Sequence, residues 1–287
     1  MRAVSHARRI LCVPYLMRAV SHARRILRAE VFSRKEQRAA LRQLGMTLQL
    51  HFLAYCLHGK GEDLHRWRIA MKRVRAFHAL YALDTSGKKS GNVARQLRLL
   101  YRQTGRIRQA ELNQEALKRM MPEREDRQKM DKESPDATLL RQSARANHWV
   151  RQYIRLLRAA SRSFTKRQLS RHFRSKIREL HKKFRRMHAV QELHDCRMVI
   201  KNLIYQYQAL PRRIQRKLAL KLSYLQEVEE AIGQWHDAAL ALEWGVAQEL
   251  IDRAVLTRLE RESAGLLELA LKKTRNFEAR AEGSRGN

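Results

Sequence analysis

His65, Arg68, Lys72 and Arg75 follow one another at steps of three and four residues in the stretch Leu64–Leu83, LHRWRIAMKRVRAFHALYAL. At about 100° of turn per residue, they fall within an arc of roughly 80° on a helical wheel. Arg73, next to Lys72 in the chain, adds a further cation. Trp67, Met71, Val74, His78 and Tyr81 take the adjoining arc, so an apolar face carries a cationic edge. A second stretch, Leu193–Leu210, LHDCRMVIKNLIYQYQAL, sets His194, Arg197 and Lys201 at the same angles, each 129 residues after its counterpart. Guanidinium offers a planar fork of donors for two oxygens, and ammonium offers a mobile point charge. Imidazole beside a phosphate has its protonated form favoured. Three such groups at positions zero, three and seven span roughly 10 Å of helix axis. The chemistry is the holding of an anion. One such helix in a basic protein would be unremarkable as an amphipathic element. Two in register predict equivalent helices giving their cationic edges to one surface.

The rest of the chain reads as the helices needed to position these two. Ser33 and Glu36 have capping-box spacing, and a helix is expected from there to about His58, ended by Gly59 and Gly61. The motif helix follows, then a turn at Asp84–Gly91 and a helix from about Asn92 to Met121 with Leu97, Leu100, Tyr101 and Thr104 inward. The second half has helices over Leu139–Ser163, Thr165–His188, Gln191–Leu210 and Leu222–Gly245, with a short one begun by Pro211. A last helix is expected from about Asp252 to Phe277, followed by a fraying end. Gly105 lies 40 residues after His65, and Gly233 lies 39 after His194. Each half thus carries a glycine inside a long helix, which costs up to about 1 kcal/mol against Ala and points to close packing or a bend. The divisions are a basic N-terminal extension over 1–32, helical halves over 33–121 and 139–280, a linker over 122–138 and a tail over 281–287. MRAVSHARRIL occurs at Met1–Leu11 and again at Met17–Leu27, a duplicated start for which weak order is expected.

Leu, Ala, Arg, Lys, Gln and Glu dominate, while Gly numbers 11 and Pro 4, so the fold class is all-α. Hydrophobic residues at 44% suffice for a packed core. The net charge of +33 opposes compaction and calls for a polyanionic partner: nucleic acid, inorganic polyphosphate or an anionic membrane. The charge is directional. Between Arg141 and Val190 there are 16 Lys and Arg against the single acid Glu179, whereas acids gather in Glu123–Asp136 and after Glu227. Cys12, Cys56 and Cys196, odd in number and scattered, argue for a reducing, cytoplasmic compartment. No apolar run approaches the eighteen or so residues of a membrane span, and no secretory signal is expected.

The two motifs resemble those of the CHAD domain, the conserved histidine α-helical domain. Its repeated pattern L-H-x-x-R-x-x-x-[KR]-[KR]-x-R is matched here by Leu64, His65, Arg68, Lys72, Arg73 and Arg75, and again by Leu193, His194, Arg197 and Lys201. The downstream family element is similar to Leu225-Gln226, Gly233 and Asp237. Asn202 and Ile204 stand where basic residues are usual, although Tyr205 fits, and Gln109 follows Arg108 where an Asp is usual. The first motif helix is therefore expected to bind anion more strongly. The resemblance implies two antiparallel helical bundles related by a pseudo-two-fold axis, with the motif helices lining a central basic groove or channel. It also implies inorganic polyphosphate as the ligand, polyphosphate granules as a location and polyphosphate-metabolising enzymes as neighbours.

Arg108 and His236, at corresponding offsets near the helix glycines, and Tyr205 form a second tier of ligands. His78, His172, His181 and His188 read as packing or surface residues, and Trp67, Trp149 and Trp235 as core or groove wall. The cations of Arg171–Arg186 form an outer face that either steers an anion or binds it. No P-loop, zinc spacing or nucleophile elbow is present, and carboxylates are expected to avoid the basic stripes. No catalytic residues, cofactor or metal are assigned. The reading is a non-catalytic binder of polyphosphate, against two alternatives: a nucleic-acid binder resting on charge alone, and a polyphosphate-metabolising enzyme or its subunit.

Overall fold

The computed structural model describes residues 31–81, 91–120, 137–187, 190–218, 220–247 and 253–282. Among them are ten helices: α1 (Arg34–His58), α2 (Gly61–Tyr81), α3 (Gly91–Met120), α4 (Ala137–Ala160), α5 (Lys166–Arg186), α6 (Gln191–Gln208), α7 (Arg212–Leu218), α8 (Leu222–Ala247), α9 (Arg253–Thr274) and α10 (Phe277–Ala281). The fold is all-α, as the composition requires. The expected N-terminal repeat, the Asp84–Gly91 turn up to residue 90 and the linker up to residue 136 lie outside the described residues.

Local chemistry sets the helix ends. Ser33 and Glu36 form the reciprocal capping box at α1, and Gly59 closes that helix at φ 64°, a left-handed conformation that favours glycine. Thr165 and Gln168 build a second capping box at α5. Two features depart from the sequence reading. Val31–Phe32, placed in the weakly ordered extension, pairs antiparallel with Phe164–Thr165, and Phe32 is buried. The two-residue strands, β1 and β2, are too short to show alternation. The last helix does not run unbroken to Phe277, because Asn276 adopts φ 53° and starts α10 in a new direction. Phe277 and Ala281 anchor α10 and are fully buried, while the tail expected to fray lies beyond residue 282, outside the described residues.

The buried side chains of both halves form one continuous hydrophobic cluster. The two motif helices pack directly on each other, α2 against α6. Helices α1 and α3 back α2, while α5 and α8 back α6. Trp67, Phe77 and Leu64 bury one face of α2, and Leu193, Ile200 and Leu203 bury one face of α6. Each such side chain contributes about 1.5–3 kcal/mol of burial. A polar tie fixes the pair. The buried Gln206 on α6 donates its Nε2 to the carbonyl of Ala76 on α2 at 3.2 Å, and its Oε1 lies 2.9 Å from His172 Nε2 on α5. Burial lowers the His172 pKa, so the neutral ring supplies the proton of that bond.

Arg213, next to the start of α7, donates to both carboxylate oxygens of Glu36 and to the Val31 carbonyl, which ties the chain entry to the second half. The guanidinium, with help from Ser33, holds the Glu36 carboxyl at about 2 against its ordinary 4.5. A carboxyl depressed in the folded state adds stability above its unfolded pKa, and that stability fades as pH falls from about 4.5 to about 2. The pair is about one-third exposed, so screening limits its worth. Glu36→Gln is expected to cost about 1 kcal/mol at neutral pH and to flatten the acid limb of stability in urea titrations at pH 5, 4 and 3.

Candidate anion-binding slot

Helices α2 and α6 bring the two cationic columns together. His65, Arg68 and Lys72 on α2 and His194, Arg197 and Lys201 on α6 are all partly buried, while Arg73 and Arg75 are exposed. Burial is the largest influence on Lys72, and the charges of Lys201, Arg68 and Arg197 act in the same direction. Only Glu229 opposes them, and the ammonium pKa falls from 10.5 to about 8. His65 is likewise lowered, first by burial and then by Arg108.

The duplicated glycines now have a physical account. A Cβ on Gly105 would lie 3.0 Å from Arg68 Nη1, and one on Gly233 would lie 2.5 Å from Arg197 Nη2. Each glycine leaves room for its half's motif arginine to lie flat against the neighbouring helix. The expected close packing is thus of side chain on backbone, and no bend is needed to explain it.

The two arginines are nevertheless held differently. Arg68 donates Nη1 to the Tyr101 carbonyl at 2.7 Å and to Thr104 Oγ1 at 3.1 Å. Its guanidinium carbon also sits 4.3 Å from the Tyr101 ring centroid, with Arg75 at 5.3 Å from the same ring. These partners are neutral, so the charge of Arg68 stays uncompensated there. Arg197 donates Nε to Glu229 Oε1 at 2.9 Å, and Lys201 Nζ reaches the same oxygen at 2.7 Å. Burial alone would raise Glu229, but hydrogen bonds and charge from Lys201 and Arg197 outweigh it and leave its pKa below the usual carboxylate value.

Glu229 corrects the expectation that carboxylates avoid the basic stripes. It was missed because it lies on α8, remote in sequence from the column it meets. A signal was present: Tyr101 and Glu229 each stand four residues before a helix glycine, on the face where the motif arginine lands. Thr104 is buried, as its helical spacing predicts, and its role as an acceptor for Arg68 emerges only from the packing.

The second-tier residues also reach the slot. His236 lies beside His194 with ring centroids 4.1 Å apart, and its pKa is lowered by burial, then by His194 and Arg197. His194 Nδ1 is buried without a hydrogen-bond partner among the described residues. Arg108 pairs with Glu111 at 2.8 Å, and the Glu111 carboxylate lies over Gly61 at the start of α2, where a helix favours negative charge. Burial raises the Tyr205 phenol, with Glu229 adding to the rise and Arg73 opposing it, which sets Tyr205 near the junction of the two columns.

Other residues serve elsewhere. His78 Nδ1 lies 2.7 Å from the Tyr153 hydroxyl. Trp67 and Trp235 are core, and Trp149 packs against it. On the outer face of α5, Arg171, Arg174 and Lys182 carry no ion pair among the described residues, and Arg178 meets Glu278. These cations lie on the side of α5 opposite the face that turns Leu169, Phe173, Ile177 and Leu180 inward. Among the described residues no group of three or more His, Cys, Asp or Glu could hold a metal ion, and no helix is long and apolar enough to cross a membrane.

Comparison with known proteins gives one match. The model of the CHAD domain family matches residues 39–245, a span that contains α2, α3, α6, most of α8 and both helix glycines. No curated protein and no solved structure matches the chain.

The glycine contacts make a direct prediction. In Gly233→Ala the new methyl group meets the end of a flexible side chain, so the helix is expected to survive, with unchanged or slightly higher thermal stability. Arg197 is displaced from Glu229, and anion affinity is expected to change by several-fold, read by isothermal titration beside circular dichroism. A loss of helix with no change in binding would show that the glycine serves packing alone.

Proposed function

The chain belongs to the CHAD domain family, and on that premise we propose that the slot between α2 and α6 binds inorganic polyphosphate without turning it over. One observation carries the reading: α2 and α6 pack directly on each other and bring two in-register columns of His, Arg and Lys together at partial burial, where the charges of Lys201, Arg68 and Arg197 add to burial in lowering the proton affinity of Lys72. A chain of phosphates laid along the slot meets donors from both sides and relieves that repulsion.

The ligand class follows from what lines the slot. Polyphosphate has no bases and needs no stacking platform. Trp67 and Trp235 are buried, and a face of Tyr101 is covered by Arg68, so single-stranded nucleic acid finds little to stack on. Nucleic acid is left as a competitor through its phosphates alone. Phosphoryl transfer would need carboxylates disposed to hold magnesium. Two that reach the slot, Glu229 and Glu111, are engaged by Arg197 with Lys201 and by Arg108. The proposed role is therefore that of a binding module, acting in the cytoplasm at polyphosphate granules or beside polyphosphate-metabolising enzymes.

Competition between long-chain polyphosphate and RNA at one salt concentration tests this. Preference for polyphosphate supports it, and equal or better binding of RNA overturns it. Release of phosphate or chain shortening by the pure protein with magnesium would make it an enzyme. Within the slot, Arg68→Ala combined with Arg197→Ala is expected to weaken polyphosphate binding by roughly 10- to 100-fold, with helicity intact. Arg174→Ala, on the outer face, is expected to change it less than about twofold.

The sign of the pH dependence is fixed. Lys72, His65 and His236 all have lowered pKa values in the free protein, and a polyanion favours their charged forms. Binding should take up protons and tighten as pH falls from 9 to 6. Titrations in buffers of different ionisation enthalpy would read the uptake directly, and proton release would contradict it.

A further inference from the structure

The internal repeat allows the two halves of the slot to be compared at one position. Tyr101 and Glu229 each stand four residues before the glycine that receives the motif arginine. In the first half this position supplies a carbonyl and a ring to Arg68. In the second it supplies a carboxylate shared by Arg197 at 2.9 Å and Lys201 at 2.7 Å. Arg197, Lys201 and Glu229 are each about one-fifth exposed or less, so water screens this cluster only partly. A carboxylate oxygen held by a guanidinium and an ammonium has the coordination that a phosphate oxygen would receive from the same pair.

We propose that Glu229 is a resident stand-in for phosphate, which occupies the α6 half of the slot in the free protein and must give up Arg197 and Lys201 to an incoming polyphosphate chain. The inference rests on the polyphosphate reading and adds a division of labour to it. The α2 half, with Arg68 on neutral partners, takes the anion first. The α6 half is filled by exchange, at the cost of releasing a carboxylate. Glu229 thereby sets affinity and selects for chains long enough to hold the α2 column while they displace it. Tripolyphosphate, too short to do both, gains little from the α6 half. The second motif is weaker on this view because it is neutralised from a neighbouring helix, in addition to its departures at Asn202 and Ile204.

The test is binding of long-chain polyphosphate and of tripolyphosphate to the full chain by isothermal titration. Glu229→Gln keeps the shape and removes the charge. It is expected to tighten long-chain binding on the order of tenfold, the worth of one charge-assisted hydrogen bond set free. Glu230→Gln removes the same unit charge at an exposed neighbour on α8 and is expected to change affinity less than about twofold. Glu229→Asp, which keeps the carboxylate, should stay near wild type. Arg197→Ala should cost less affinity than Arg68→Ala in the wild-type background and more in Glu229→Gln. Should Glu229→Gln fail to fold, Tyr101→Glu reads the same claim in reverse, since a counter-ion placed beside Arg68 should weaken binding. If Glu229→Gln binds no more tightly than Glu230→Gln, or Tyr101→Glu binds as wild type does, the inference is overturned while the slot reading stands. If the wild type does not prefer polyphosphate, both fall.

Discussion

Repulsion between like charges is the constraint around which this molecule is arranged. Two columns of cations face one another across the α2–α6 contact, in a place where water is partly excluded. A unit charge pair at 4 Å is worth about 1 kcal/mol in water and about 4 kcal/mol near a protein surface. The structure meets that cost in three ways. Gly105 and Gly233 let Arg68 and Arg197 fold back flat on α3 and α8. Backbone and hydroxyl acceptors, a tyrosine ring and one carboxylate receive the guanidinium groups. Lys72, under burial first and the neighbouring charges second, holds its proton less tightly.

Holding the columns in place falls to the core. The motif residues are 129 apart in sequence, and no local element could bring them together. One hydrophobic cluster running through both halves does so, with Gln206 reaching across to the Ala76 carbonyl. A buried amide with both ends engaged specifies register more sharply than apolar contacts, because a shifted pairing would strand it unbonded. The glycines fit the same logic. Each gives up helix propensity in exchange for an arginine that lies where a methyl group would otherwise stand.

Much of this was legible from residue types and spacing. Nine of the ten described helices and their order, the capping box at Ser33 and the recurrence of the motif follow from period and punctuation, which are local properties. The corrections all arise where tertiary contacts decide. Val31–Phe32 and Phe164–Thr165 carry no strand pattern of their own and pair because α1 and α5 begin side by side. Asn276 turns the chain into α10 because Phe277 has a buried place to reach. Glu229 looked like one more acid in a mixed helix, LQEVEEAIGQWHD, and only the distance to Arg197 and Lys201 sets it apart from Glu227 and Glu230. Periodicity tells which face a residue shares, and it does not tell what stands opposite.

Partial burial is what makes such a slot responsive. Fully exposed cations would bind an anion weakly and would be screened by salt within a Debye length of about 8 Å. Fully buried ones would lose their protons or unfold the chain. At the intermediate depth found here, Lys72 sits near 8. The charge needed for binding is available near neutral pH and is strengthened by the ligand itself. An anion held by both columns also joins α2 to α6, so its binding energy adds to the cohesion of the two halves. At a hundredfold excess over its dissociation constant, a ligand specific to the folded chain contributes about 2.7 kcal/mol of stability. On the proposed function, a chain whose net charge of +33 works against compaction would be most stable with the slot filled.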